Sequence, residues 1–147
     1  MKKRSRAREL ALQFLYQADL VGSAPEEAEG FLREEERDLE TRGFAQRLVD
    51  GVGENASAID ERIQAVAQNW NISRMAVLDR NILRLGVHEL LYCPDIPPKV
   101  AINEAIEMGK RFSTQNSGAF INGILDKIMN EALAAGARDE EAGAEKN

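Results

Sequence analysis

Apolar residues recur at every third and fourth position along most of this chain, the spacing of helices with one buried face. Two such runs lie between residues 98 and 128, on either side of the short polar turn STQNSG. Ser117 in that turn is suited to accept a bond from a backbone N–H at the start of the second helix. No useful length of chain alternates apolar and polar residues as a strand does. The pattern predicts an all-α fold arranged around this helical pair.

The same spacing predicts more helices upstream. They are a first helix over Ser5–Val21, a short acidic helix from Pro25 to about Arg37, a long register from Thr41 to Trp70, and a run from Arg74 to Tyr92 that is apolar almost all round. The long register favours one helix, with a break near residues 55–57 as the alternative. Trp70 continues its apolar stripe and is expected to be a packing anchor. The fourth run is expected to be buried on most sides.

A chain of 147 residues fits one domain with a core of its own. We predict a single domain over residues 1–137, made of two helical halves at about 1–70 and 71–137. Residues 138–147 have no apolar face and are expected to form a disordered acidic tail.

Charge is distributed unevenly, although the chain carries a net charge of −6. Residues 1–8 contain five basic side chains and no acid. The partial positive charge of a helix N-terminus disfavours cations there, so local stability does not explain them. They are either a solvated, frayed terminus or a phosphate-binding arm. A basic segment on an acidic protein suits localised binding of a polyanion.

Residues that would support catalysis are scarce. His88 and Cys93 are the single histidine and the single cysteine, and together they do not make a zinc site. The sequence contains neither a phosphate-binding GxxxxGK[ST] loop nor a GxGxxG fingerprint. The apolar runs are too short to span a membrane, and one cysteine gives no reason to expect an oxidising compartment. We therefore expect a cytoplasmic binding protein that uses no metal or cofactor and contacts no membrane.

Four strings closely resemble the NusB family of transcription antitermination factors. They are RARELALQFLYQ at 6–17, DRNILRLGVHEL at 79–90, VAINEAIE at 100–107 and FINGILDK at 120–127. The resemblance covers about the whole chain except an acidic insert near 23–42 and the C-terminal tail. It implies a NusB-like bundle of about seven helices in two packed subdomains.

The resemblance also implies a function. Members of the family bind the boxA element of ribosomal RNA leader transcripts together with a small-subunit ribosomal protein that doubles as NusE. With other Nus factors they help the RNA polymerase elongation complex to read through terminators. Carried onto matching residues, RNA binding falls on the arm Lys2, Lys3, Arg4, Arg6 and Arg8 and on Asn116, Ser117 and Phe120, and docking of the protein partner falls on Asp79 and Arg80.

Some alternatives stay open at this stage. Phe120 could pack in the core instead of stacking on a base, and the protein could form a homodimer. The chain could be a helical adaptor or dimerisation module that does not bind RNA. A similar helical domain is fused to RNA cytosine methyltransferases, but these need a following α/β domain that binds S-adenosylmethionine, and this sequence contains none.

Overall fold

The computed structural model describes residues 1–138, and most of these residues are helical. This part of the chain contains seven α-helices and no strand, so the all-α prediction is confirmed. Short 3₁₀ turns precede α2 and α5, at Pro25–Glu27 and Ile72–Arg74. The helices are α1 (Lys3–Val21), α2 (Ala28–Glu35), α3 (Leu39–Glu54), α4 (Ala56–Val66), α5 (Val77–Tyr92), α6 (Pro98–Phe112) and α7 (Ser117–Ala134).

Local chemistry sets several helix ends. Gly22 ends α1 in the left-handed conformation, with a φ of 74°, and its N–H donates to the carbonyl of Ala18. Asp38 caps α3 because its carboxylate accepts the backbone N–H of Thr41 at 2.9 Å. Thr41 lies in the first turn of the helix and donates its hydroxyl to the same carboxylate.

The long register from Thr41 to Trp70 is broken at Asn55, so the alternative with a break is correct and the single helix is wrong. The backbone N–H and the side-chain amide of Asn55 both donate to the carbonyl of Gly51. Asn55 thereby caps the C-terminal end of α3. A Cβ on Gly51 would overlap the imidazole of His88, so glycine here permits close approach of α3 to α5.

The central helix is α5, as its almost continuous apolar sequence predicts. It packs against α1, α3, α4, α6 and α7. Helices from both predicted halves therefore share one core, while the boundary near residue 70 stays a prediction. Charged residues of α5 find partners inside the protein: Arg84 donates to Asp60 at 2.8 Å, and Glu89 accepts from Arg8.

The C-terminal end of the described chain is attached to the fold. Arg138 is buried and donates to the backbone carbonyls of Pro94 and Ile96. The first residue of the predicted disordered tail is thus ordered by contacts, and residues 139–147 lie outside the described part. None of the described helices combines the length and apolar character needed to cross a membrane.

Candidate nucleic-acid interface

The basic arm, residues Lys2 to Arg6, forms the start of α1 on the surface. Lys2 is the extended residue before the helix, and it is exposed together with Lys3 and Arg4. Lys3 Nζ lies 3.2 Å from Glu40 and 3.4 Å from Asp38, and the hydrogen bonds that it donates to these two carboxylates raise the pKa of Lys3. Exposed ion pairs of this kind contribute little to stability, because solvent screens them. The ammonium group is therefore free to exchange its partner for a phosphate.

Two arginines of the arm are held by neighbouring side chains without being enclosed. The guanidinium carbon of Arg4 lies 4.4 Å from the centroid of the Phe44 ring, and Arg4 Nη1 is 3.7 Å from Asp95. Arg6 lies 3.5 Å from Glu36. These contacts orient the guanidinium groups on a surface, in a position to contact phosphates.

Arg8, predicted to contact RNA with the rest of the arm, is instead inside the protein and only 3% exposed. It donates three hydrogen bonds to Glu89, at 2.7 to 3.0 Å, and its Nη1 is 3.4 Å from Glu104. Burial is the largest single influence and acts to lower the pKa of Arg8, but the hydrogen bonds and negative charges of Glu89 and Glu104 together outweigh it, and the pKa is raised. We therefore correct the prediction: Arg8 joins α1 to α5 and is not available to a phosphate.

The turn before α7 divides its polar residues between surface and interior. Asn116 is exposed, whereas Ser117 is only 1% exposed. The Ser117 hydroxyl accepts the N–H of Thr114 at 3.1 Å and bonds the Thr114 hydroxyl at 2.9 Å. It thus closes the turn that precedes it, and does not cap the first turn of α7 as predicted. Ser117 shapes the turn and is withdrawn as an RNA contact, while Asn116 stays in the predicted set.

Phe120 lies between the core and the surface, so core packing is observed and base stacking stays a prediction. It is half-buried and packs against the core, and it also forms an edge-to-face pair with Trp70, with ring centroids 6.0 Å apart and an interplanar angle of 76°. Trp70 is 59% exposed, so the packing-anchor prediction is wrong. The reason is local, because α4 ends at Val66 and the apolar stripe no longer applies beyond it. We call the surface around these rings the aromatic groove; it is lined by Trp70, Arg74, Thr114, Asn116 and Phe120, among others.

Neither residue predicted to dock the protein partner offers a free charge. Asp79 is 8% exposed and accepts the hydroxyl of Ser113 at 2.6 Å. Arg80 donates to both carboxylate oxygens of Asp19, at 2.7 and 2.8 Å. The hydrogen bond from Arg80 is the main cause that lowers the pKa of Asp19 to about 2. Because α5 is surrounded, its charges pair within the protein, and we correct the assignment of Asp79 and Arg80 to a partner interface.

A second groove, which the sequence did not reveal, lies between the arm and the aromatic groove. It is lined by Arg6 and Tyr16 of α1 and Phe112 of α6, among others, and the Phe112 ring is 40% exposed. Arg111 fixes this end of α6 to α1 through an ion pair with Glu9. Thr114, two residues beyond Phe112, already lines the aromatic groove. The end of α6 therefore lines the groove that reaches the arm, and the turn that follows α6 lines the aromatic groove.

The histidine and the cysteine meet in the core, with Cys93 Sγ 3.4 Å from His88 Nε2. Burial lowers the pKa of His88 to about 4 and raises the pKa of Cys93 to about 11. At neutral pH both groups are uncharged, and we interpret the pair as structural. Residues 1–138 contain no cluster of three or more His, Cys, Asp or Glu side chains that could hold a metal ion.

Together, the fold and these surfaces define a class: a helical binding protein with a basic arm and an exposed aromatic groove. The NusB family model matches residues 5–130. A NusB protein of Desulforapulum autotrophicum is 47% identical over 131 residues, covering 87% of this chain and 92% of that relative. One from Anaeromyxobacter dehalogenans is 49% identical over 128 residues, covering 86% and 89%. Both carry the name transcription antitermination protein, and neither the name nor the family model describes an enzyme.

Solved structures agree with these matches. NusB of T. maritima superposes with a TM-score of 0.79 at 40% identity, covering 87% of this chain and 91% of that one. A crystal structure of the antitermination factors NusB and NusE in complex with double-stranded RNA superposes with a TM-score of 0.80 at 29% identity, covering 89% and 98%. The chain belongs to the NusB family.

Proposed function

We propose that this protein is a transcription antitermination factor that binds boxA RNA of ribosomal RNA leader transcripts together with the small-subunit ribosomal protein NusE. Within the RNA polymerase elongation complex, and with other Nus factors, it promotes read-through of terminators. The observation that carries the proposal is the exposed basic arm at the start of α1 in a chain of the NusB family. The related complex of NusB and NusE with RNA supports it.

The electrostatics of the arm favour a polyanionic ligand. The first turn of α1 contains no acidic residue, so the cations of the arm and the positive end of the helix dipole act at the same place. Lys3 and Arg4 face acids from other parts of the chain in exposed pairs, and Arg6 faces Glu36 and also Glu9 of its own helix in partly buried pairs of 3.5 and 3.8 Å. Phosphates of a bound RNA would relieve this concentration of positive charge, which the protein itself compensates only weakly.

The residues proposed to contact RNA are those of the predicted set whose side chains are accessible to solvent. Lys2, Lys3, Arg4 and Arg6 contact phosphates, and Asn116 and Phe120 contact unstacked bases, whose faces and edges single-stranded RNA leaves open. Arg8 and Ser117 support these contacts from inside, by holding α1 to α5 and by shaping the turn before α7.

Salt-dependent titrations test the RNA-binding proposal. A labelled boxA oligonucleotide is titrated at several salt concentrations, with and without NusE, against the parent and the double variant Arg4→Ala/Arg6→Ala. We expect the slope of log affinity against log salt to become shallower by about 0.7 for each phosphate that is no longer neutralised. Arg33→Ala, which removes an exposed arginine from acidic α2, is the matched control and should leave the slope unchanged.

An arm double variant that binds as tightly as the parent at every salt concentration would leave the arm without a role in RNA binding. Light scattering in the same samples would then show whether the protein dimerises instead, as the adaptor alternative requires.

For the protein partner we propose the groove lined by Arg6, Tyr16 and Phe112. Exposed aromatic rings with charged residues at the edge are typical of the centre and rim of protein interfaces. Phe112→Ala should weaken NusE binding in calorimetry by about 1–2 kcal/mol or more. Val100→Ala, which shortens another exposed apolar side chain of α6, is the control. Equal NusE affinity for both variants would locate the docking surface elsewhere.

A further inference from the structure

The most exposed aromatic side chain of this protein is also one of its best positioned. More than half of the Trp70 side chain is accessible to solvent, although Trp is highly buried on average. Its backbone is fixed on both sides: the N–H donates to the carbonyl of Ala67 at 3.0 Å, and the carbonyl accepts the side-chain amide of Gln64 at 2.7 Å. Gln64 also accepts the N–H of Ile72 at 2.9 Å. The turn that carries Trp70 is therefore ordered, and the indole projects from a fixed base.

The neighbours of Trp70 leave ring faces open. The Phe120 ring meets the indole edge-to-face, and this arrangement does not cover both faces of either ring. Gly123, three residues beyond Phe120, shares its side of α7, and a Cβ placed there would meet no atom within 4 Å. Position 123 therefore places no side chain beside the Phe120 ring.

The solvent-exposed charge beside the rings is positive. Arg74 lines the aromatic groove and is exposed, and no carboxylate among residues 1–138 forms an ion pair with it. Asp79 also lines the groove, but it is buried and accepts the Ser113 hydroxyl. A flat apolar surface next to a free guanidinium matches a nucleobase with its attached phosphate.

We infer that Trp70 and Phe120 form a stacking site for one unpaired base of a bound RNA, with Arg74 contacting the adjoining phosphate. The inference rests on the proposed RNA-binding function and assigns to it two residues, Trp70 and Arg74, that the family strings do not include. Phe120 supplies the second ring, and its contact with the indole holds the two rings together. The strand then runs from the basic arm past the end of α6 to the aromatic groove.

Trp70 is the only tryptophan of the chain, so its intrinsic fluorescence reports this site alone. Titration with single-stranded boxA RNA should quench the emission in parallel with binding. A set of oligonucleotides, each with one abasic position, should contain one member that binds more weakly and no longer quenches. This member identifies the nucleotide at the site.

Variants test the same site through affinity. Trp70→Ala should weaken RNA binding about 5- to 150-fold with an unchanged salt slope, because stacking is removed while every charge is kept. Trp70→Phe keeps an aromatic face and should recover most of the affinity. Arg74→Ala should make the salt slope shallower by about 0.7, with Arg33→Ala as its control. Trp70 is exposed, so these variants should keep the parental thermal midpoint.

The outcomes separate this inference from the function on which it rests. A parent protein that binds no boxA RNA would refute both. Suppose that RNA binding depends on the arm arginines, that tryptophan emission does not change, and that Trp70→Ala keeps full affinity. This result would refute the stacking site and leave the proposed RNA-binding function intact. A Trp70→Ala variant that loses NusE binding but keeps RNA affinity would show that the aromatic groove is a protein interface, which also overturns the inference.

Discussion

Replacing Arg8 by alanine tests the distinction between an arginine that binds RNA and one that holds the fold together. Arg8 and Glu89 are both almost completely buried and share three hydrogen bonds of 2.7 to 3.0 Å. Removing one member of a buried pair leaves the other charge without a partner, which costs about 3–5 kcal/mol. Typical domains have a total stability of about 5–15 kcal/mol, so the loss is large. Arg4→Ala, which removes an exposed pair, should cost less than about 1 kcal/mol.

The loss in Arg8→Ala should depend on pH. Burial raises the pKa of Glu89, and hydrogen bonds from Arg8 oppose that rise; without Arg8 the pKa therefore rises further. A carboxyl whose pKa is raised by folding contributes its full stability below its unfolded pKa, near 4.3, and loses it as pH rises through the folded value. The difference from the parent should therefore be smallest near pH 4 and should grow towards neutral pH.

Urea unfolding of the parent and Arg8→Ala between about pH 4 and pH 8 measures both effects. Adding Glu89→Gln to Arg8→Ala removes the titrating carboxyl and should abolish this pH dependence. Replacing both residues by methionine should restore most of the stability, since paired apolar residues of similar volume can substitute for a buried ion pair. Parental stability in Arg8→Ala, together with a weaker salt dependence of RNA binding, would contradict the structural role of Arg8 and show that it reaches the phosphates.

Four further variants test other features of the fold by thermal or urea unfolding. Gly51→Ala should destabilise by about 1–3 kcal/mol, because the added methyl overlaps the His88 ring; parental stability would mean that α3 and α5 separate easily. Gly123→Ala should stabilise by up to about 1 kcal/mol through helix propensity, as nothing lies near the added group, and Gly30→Ala, equally open, should do the same in α2. Asp19 has a folded pKa of about 2, below the ordinary 3.8, so its contribution to the free energy of unfolding is present above pH 4 and is lost as pH falls towards 2. Asp19→Asn should therefore reduce the dependence of stability on pH in this range. An unchanged dependence below pH 4 would contradict this role of Asp19.

The helices could be predicted from sequence because their evidence is local. In α1 the apolar spacing places Ala7, Leu10, Ala11 and Phe14 on one side, and all four are buried. The nearly all-apolar run of α5 likewise predicts a helix surrounded by others. Where the local evidence was ambiguous, as at Asn55, the sequence offered two interpretations, and the choice depended on hydrogen bonds to Gly51.

Whether a polar side chain is exposed or buried was less predictable, because it depends on residues far away in the chain. Arg6 and Arg8 have the same chemistry and lie two positions apart, yet only Arg8 faces α5, where Glu89 lies 81 positions further on. Asp79 meets Ser113 in a comparable way, 34 positions away. Composition marks such residues as surface charges, whereas burial with a partner makes them structural.

The sequence by itself therefore determined which segments are helical, which faces are apolar, and that the chain begins with a cluster of cations. Only the tertiary structure decided which of those cations reach solvent, and that Trp70 lies outside the core beside Phe120. Helical periodicity repeats every few residues and can be read from a short window. The exposure of one side chain, by contrast, depends on which distant helix packs over it.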